Sequence, residues 1–166
     1  MEAGLALRPI GRLETPWATP GDCPRNGRQP DPAPLCRAVI AAEFQPGLQA
    51  LEGFSHLILL YWMHRPSGPG PAPLAFAPPF DGETRGVFAT RAPFHPNPIG
   101  LSVVAFDGFA APGVLRVRWL DCVDGTPLLD IKPYLPSTDA VPEARMGWLA
   151  SHATRPQGAP LGRLRG

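Results

Sequence analysis

A chain of 166 residues, 44% hydrophobic and 17% charged, is long enough for one domain with a real core and too apolar to be disordered. Its formal net charge of +1 excludes an electrostatically driven nucleic-acid binder of the histone or basic-arm kind, while leaving room for a local basic patch. Cys23, Cys36 and Cys122 are odd in number and widely spaced, which fits a reducing compartment rather than a disulfide framework or a structural zinc site.

No apolar segment follows a basic start, and no apolar run approaches about 18 residues, so a cytoplasmic protein away from the membrane is expected. Pro16–Pro34 carries six prolines and reads as a loop, because proline removes backbone donors. Arg37–Phe44 is a strand candidate. Leu57–Met63, continuous and apolar, is consistent with a strand buried on both sides, bracketed by His56 and His64. Pro66–Pro79, again with six prolines, is a second loop. Gly86–Thr90 and Leu101–Phe109 are further strands, the latter ending in an Asp107-Gly108 turn signal.

Val114–Leu120 alternates with period two, placing Leu115, Val117 and Trp119 on one face and Arg116 and Arg118 on the other. Asp124-Gly125-Thr126-Pro127 is a tight turn, after which Leu128, Asp130, Lys132 and Tyr134 share one parity. In extended chain their side chains would project from one face at intervals of about 6.5–7 Å, as a proton-handling or substrate-clamping row or as a solvent-facing salt-bridge ladder. Lys132 is the only lysine beside fourteen arginines. Glu143–His152 carries one short helical pattern before an Arg/Gly/Pro-rich end expected to be mobile. The whole reads as mostly β, a barrel or sandwich of about 140 residues (1–140) with a short helical tail over 141–166.

The densest chemical constellation is Gly86–Ser102, in which Arg91 and His95 precede a rigid Pro96-Asn97-Pro98 corner. Those donors suit a carboxylate, a phosphate or a purine edge. The four histidines are not spaced as a metal site, and no Rossmann, Walker or nucleophile-elbow motif is present.

Gly-Val-Phe-Ala-Thr-Arg followed by Pro-Asn-Pro-Ile-Gly, then Asp-Gly-Thr-Pro and Asp-Ile-Lys-Pro-Tyr, resembles the TrmO-like (TsaA-like) S-adenosylmethionine-dependent methyltransferases, and the likeness begins at Ile10-Gly11. The best-known members of that family methylate threonylcarbamoylated adenosine at position 37 of certain tRNAs. The resemblance implies a β-barrel methyltransferase outside the Rossmann class, acting as a homodimer with its site near the interface. Carried over by motif, S-adenosylmethionine would contact Pro24, Arg25, Asn26, His64, Arg65, Arg91, Asn97 and Leu101, with Arg118, Trp119, Leu120 and Asp121 completing the site. Asp124 and Asp130 are the candidates for accepting the amine proton or orienting the cofactor. Lys132 and Tyr134 are the candidates for holding the substrate.

The family pattern has Pro-Arg-Gln where this chain has Pro24-Arg25-Asn26, and a Ser and a second Arg where it has Ala92 and His95. Longer members also carry an extra C-terminal domain. The expected acceptor is a modified tRNA adenosine. The alternatives are a small-molecule acceptor on the same fold, or a non-catalytic S-adenosylmethionine sensor.

Overall fold

The computed structural model describes residues 4, 6–65 and 72–152. Its strands are β1 (Gly11–Glu14), β2 (Cys36–Ile40), β3 (His56–Trp62), β4 (Ala75–Phe76), β5 (Arg85–Gly86), β6 (Ile99–Ala111), β7 (Val114–Arg118) and β8 (Thr126–Pro133). Six of them close into a barrel in the order β1-β2-β7-β6-β3-β8, with every neighbouring pair antiparallel. β4 and β5 form a separate two-stranded ribbon. The mostly β, barrel-like expectation holds.

Alternation builds the core. Leu57, Leu59 and Tyr61 of β3 point inward to meet Leu115 and Val117 of β7, Val104 of β6, Leu13 of β1 and Leu128 of β8. Most of these side chains are fully buried, and each contributes roughly 1.5–3 kcal/mol of transfer free energy. β3 differs from its expected burial on both faces: Ile58, Leu60 and Trp62 point outward and are only half covered.

Three local expectations change for identifiable reasons. Asp107-Gly108 does not end β6. The pairing with β7 slips between Phe106 and Phe109, and Gly108 adopts φ +77°, so the dipeptide makes a bulge that bends a 13-residue strand around the barrel. The chain reverses instead at Pro112-Gly113. Gly86–Thr90 is not a strand beyond Gly86; Val87–Ala89 winds into a 3₁₀ turn that buries Val87. Arg37–Phe44 is strand only to Ile40, after which Ala42–Leu48 is 3₁₀.

Two further shifts move candidate residues. β8 carries a bulge at Leu129, because Leu60 pairs with Asp130 whereas Tyr61 pairs with Leu128. Leu128 therefore enters the core while Asp130 and Lys132 face outward. At the end of β7, Trp119 adopts φ +75°, which inverts the alternation: Leu120 is buried in place of Trp119, and the indole lies outside. A non-glycine residue in that region costs roughly 1–3 kcal/mol. The Arg28 guanidinium 4.0 Å above the indole and the His56 ring stacked at 5.6 Å help to offset it.

The two proline-rich stretches behave differently. Pro16–Pro34 holds turns and bends, without strand or helix. Of Pro66–Pro79, residues 66–71 lie outside the described residues, and the remainder contributes β4. In the tail, Gly147–His152 forms a 3₁₀ turn, and residues 153–166 lie outside the described residues. No described helix is long and apolar enough to cross a membrane.

Candidate functional site

A cavity of about 610 Å³ opens at the end of the barrel where β3 finishes and β6 and β8 begin. One wall is the Pro20–Asn26 segment, including Cys23, Pro24, Arg25 and Asn26. The opposite wall is Thr90–His95, with Arg91 and Ala92. Met63, His64 and Arg65 arrive from β3, Ile99–Leu101 from β6, and Asp121–Val123 from the connection before β8.

The floor is a hydrogen-bonded triad. The Tyr61 hydroxyl donates to Asp121 Oδ1 at 2.9 Å and lies 2.9 Å from Ser102 Oγ. Tyr61 has only one proton, so Ser102 supplies the second hydrogen bond. Tyr61 can lie flat there because its partner across the sheet is Gly100, where a Cβ would collide with the phenol ring. Gly27 makes a similar close approach, packed against the Trp119 carbonyl, and this brings the 20–26 wall over Asp121.

Among the described residues Asp121 is the only carboxylate lining the cavity. Burial raises its pKa above the usual carboxylate range, against the lowering effects of the Tyr61 hydrogen bond and the Arg91 charge. Burial likewise raises Tyr61, with Asp121 adding to the effect, so the phenol stays protonated and donates. The Cys23 thiol is also pushed up, first by burial and then by Asp121 and Asp22. It is no thiolate nucleophile at neutral pH.

Arg25, Arg65 and Arg91 border the cavity, and none forms an ion pair among the described residues. His64 Nδ1 is buried with no hydrogen-bond partner. An unpaired buried ring nitrogen normally costs free energy, and its presence in a cavity wall marks a place where a ligand group completes the bonding. Three guanidiniums without ion pairs among the described residues (Arg65 donates to the Ala18 carbonyl), one half-buried carboxylate, one waiting imidazole and the apolar edges of Met63, Ile99 and Leu101 suit a zwitterionic ligand that also carries apolar surface.

Of the expected cofactor contacts, Pro24, Arg25, Asn26, His64, Arg65, Arg91, Leu101 and Asp121 are brought together here. Arg118, Trp119, Leu120 and Asn97 do not line the cavity. Arg118 bonds Asp107 and the Ala33 carbonyl, Trp119 turns outward, Leu120 is core, and Asn97 is exposed, its carbonyl taking the Ile99 N–H. The four expected catalytic residues are also elsewhere. Asp124 accepts from the Thr15 N–H and so pins β1 to the turn before β8. Lys132 and Asp130 form a solvent-facing pair at 2.7 Å, and Tyr134 packs edge-on against His56. Tyr61, Ser102, Met63 and Thr126 escaped the sequence reading: the first three pass for ordinary filling in strand sequence, and Thr126 reads as part of a tight turn where β8 in fact begins.

A six-stranded antiparallel barrel with a polar, partly cationic cavity at one end, outside any nucleotide-binding α/β architecture, defines the class. Residues 12–140 match the family described as tRNA-methyltransferase O N-terminal domain. The chain belongs to that family. It is 43% identical over 137 residues to an S-adenosyl-L-methionine-binding protein of Archaeoglobus fulgidus, covering 82% of this chain and 94% of that protein. It is 42% identical over 108 residues to the tRNA (adenine(37)-N6)-methyltransferase of Escherichia coli, covering 63% of this chain and 46% of that one. The crystal structure of TrmO from Pseudomonas aeruginosa superposes with a TM-score of 0.70 at 35% identity, covering 88% of this chain. The chain spans 63% of that crystallised protein.

Proposed function

We propose that this protein is an S-adenosylmethionine-dependent methyltransferase that acts on N6 of adenine 37 in tRNA, with the threonylcarbamoylated base as acceptor. The observation that carries the reading is the cavity itself: Asp121, held by Tyr61, shares it with His64, whose Nδ1 has no partner, and with three guanidiniums that form no ion pair among the described residues. Family membership and the named activities of the relatives support it.

The residues fit the cofactor group by group. A guanidinium from Arg25, Arg65 or Arg91 would take the amino-acid carboxylate, and Asp121 would face the positively charged end. His64 Nδ1 would bond a polar atom of the nucleoside, with Met63, Ile99 and Leu101 against its apolar surface. When bound, the sulfonium supplies an already activated methyl group. The protein then has to align the acceptor nitrogen, exclude water and take up the proton the amine loses. Asp121 is the carboxylate lining the cavity among the described residues, and it is placed for that last task. This replaces Asp124 and Asp130 in the role. The guanidiniums not engaged by one carboxylate remain for a second anion, either an acceptor phosphate or the carboxylate of the threonylcarbamoyl group.

We propose further that two copies associate through the outward face of β3 and β6. Ile58, Leu60, Trp62 and Val103 are half-covered there, and Ile99 and Leu101, 44% and 46% exposed, join that face to the cavity mouth. Asp130 and Lys132 form its polar rim. The expected setting is the cytoplasm, where the acceptor is found.

Calorimetry with S-adenosylmethionine, followed by transfer of labelled methyl to tRNA with and without the threonylcarbamoyl group, tests the reading. Saturable binding and transfer only to the modified tRNA are expected. No binding would overturn the reading as a whole. Binding with no transfer to either tRNA would move the acceptor to a small molecule.

A further inference from the structure

The segment after the barrel is not free of it. Trp148, in the 3₁₀ turn Gly147–His152, donates from Nε1 to the Ala89 carbonyl at 2.8 Å. Its indole stacks on Phe80 with centroids 6.0 Å apart and planes 14° from parallel, while the Arg85 guanidinium sits 4.9 Å above it. Asp81 fastens both sides of the contact. Its side chain, only 7% exposed, accepts from Arg85 Nε at 2.6 Å and meets His152 Nε2 at 2.8 Å. Stacking, cation–π contact and charge-assisted bonds thus converge on one short turn.

What this turn holds is the base of the cavity wall. Ala89 directly precedes Thr90 and Arg91. The stretch from Val87 to His95 is knit into one piece: Thr90 N–H and Oγ1 both donate to the Val87 carbonyl, Thr90 Oγ1 accepts from Ala92 N–H, and His95 Nε2 lies 3.2 Å from the Thr90 carbonyl. Val87 is buried, and its N–H bonds the Leu74 carbonyl across the β4–β5 ribbon. A unit so tied moves as a whole, so a shift at Ala89 carries Arg91 and His95 with it. On the cavity side no described ion pair fixes Arg91. The position of its backbone therefore decides where its charge falls relative to Asp121.

We infer that Trp148 is a positioning residue for the cofactor site: the 147–152 turn braces the 87–95 wall through Ala89 and sets the place of Arg91. This rests on the methyltransferase reading only for the ligand used to detect it. The brace acts through Arg91 and touches neither cofactor nor acceptor.

The test combines Trp148→Ala, Trp148→Phe and Arg91→Ala, singly and as double variants, in the full chain. Trp148→Ala is expected to weaken S-adenosylmethionine binding about tenfold in the wild-type background and to change it little in the Arg91→Ala background, the mark of two residues acting on one event. Trp148→Phe keeps the ring stack but loses the N–H, and should fall between. Independently of any ligand, hydrogen exchange at the 87–95 amides should quicken in Trp148→Ala while β3 and β8 keep wild-type protection. Retained affinity in Trp148→Ala, additive effects with Arg91→Ala, or unchanged exchange over 87–95 would each overturn the inference. Loss of protection throughout the barrel would overturn it as well, showing a general fold role. A wild-type chain with no affinity for S-adenosylmethionine would count against the methyltransferase reading, and the exchange measurement would still decide whether Trp148 holds the wall.

Discussion

Tyr61 and Asp121, sixty residues apart in sequence, share a 2.9 Å hydrogen bond that joins the barrel interior to the floor of the cavity. The phenol belongs to the core and the carboxylate to the cavity lining, so a single contact couples the two.

Asp121 should make stability depend on pH in a defined direction. Burial raises its native pKa, so the folded chain holds that proton more tightly than the unfolded chain does. The contribution is fully present below the ordinary aspartate value of about 3.9, and is lost as pH rises through the raised native value. Asp121→Asn removes the loss. Its urea midpoint should exceed that of the wild type at neutral pH, the gap closing in acid, while S-adenosylmethionine binding falls at least about tenfold. Equal midpoints at neutral pH would contradict the assignment of burial as the dominant cause.

Tyr61→Phe deletes the hydroxyl between Ser102 and Asp121 and leaves both without that partner. The expected cost is about 1–3 kcal/mol in denaturant unfolding, because a buried group left unsatisfied loses its full desolvation free energy. Asp121 also loses a bond that favours its charged form, so the fall in stability should begin at the same pH and extend to higher pH.

At Trp119 the usual ranking of small residues should invert. Alanine there keeps the unfavourable φ of +75° and loses the Arg28 and His56 contacts, whereas glycine loses the same contacts without the strain. Thermal unfolding should place Trp119→Gly above Trp119→Ala by about 1 kcal/mol.

Val103→Arg puts a charge on the outward face of β6, opposite Ile58 and outside the cavity lining. If two copies meet there, sedimentation should show a dimer for the wild type and a monomer for this variant, with the far-ultraviolet circular dichroism of the barrel retained. An identical mass for both would remove that face as the interface.

The sequence made the barrel legible where alternation is unbroken. β7 was readable from Leu115 and Val117 because each inward residue is followed by an arginine that must face out. Alternation fails at irregularities it cannot announce. An Asp-Gly pair serves a turn and a glycine bulge equally well, so Gly108 was placed at the end of a strand that runs on to Ala111. Leu129 gives no sign that β8 slips there, yet that slip alone puts Leu128 and Asp130 on opposite sides of the wall. Of the cavity, Arg91 was readable from the residues themselves, in the dense polar stretch before Pro96. Arg25, His64, Arg65 and Asp121 were reached through the motif resemblance, because a single polar residue at a loop or strand end does not announce what it faces. Tyr61 was hidden, because a phenol within an apolar run looks like core until its hydroxyl is seen to reach a carboxylate. The unusual lysine, Lys132, sits in an exposed pair of the kind that contributes little to stability.

Closure of the barrel has a kinetic corollary. Strands that pair on both sides around a full circuit have no free edge to open, and one end of the ligand cavity rests on such a circuit. The 20–26 segment and the 87–95 wall lie outside the barrel sheet, and the second of them is tied to the 147–152 turn. Entry of fresh cofactor and departure of the spent one would therefore follow the parting of these two segments.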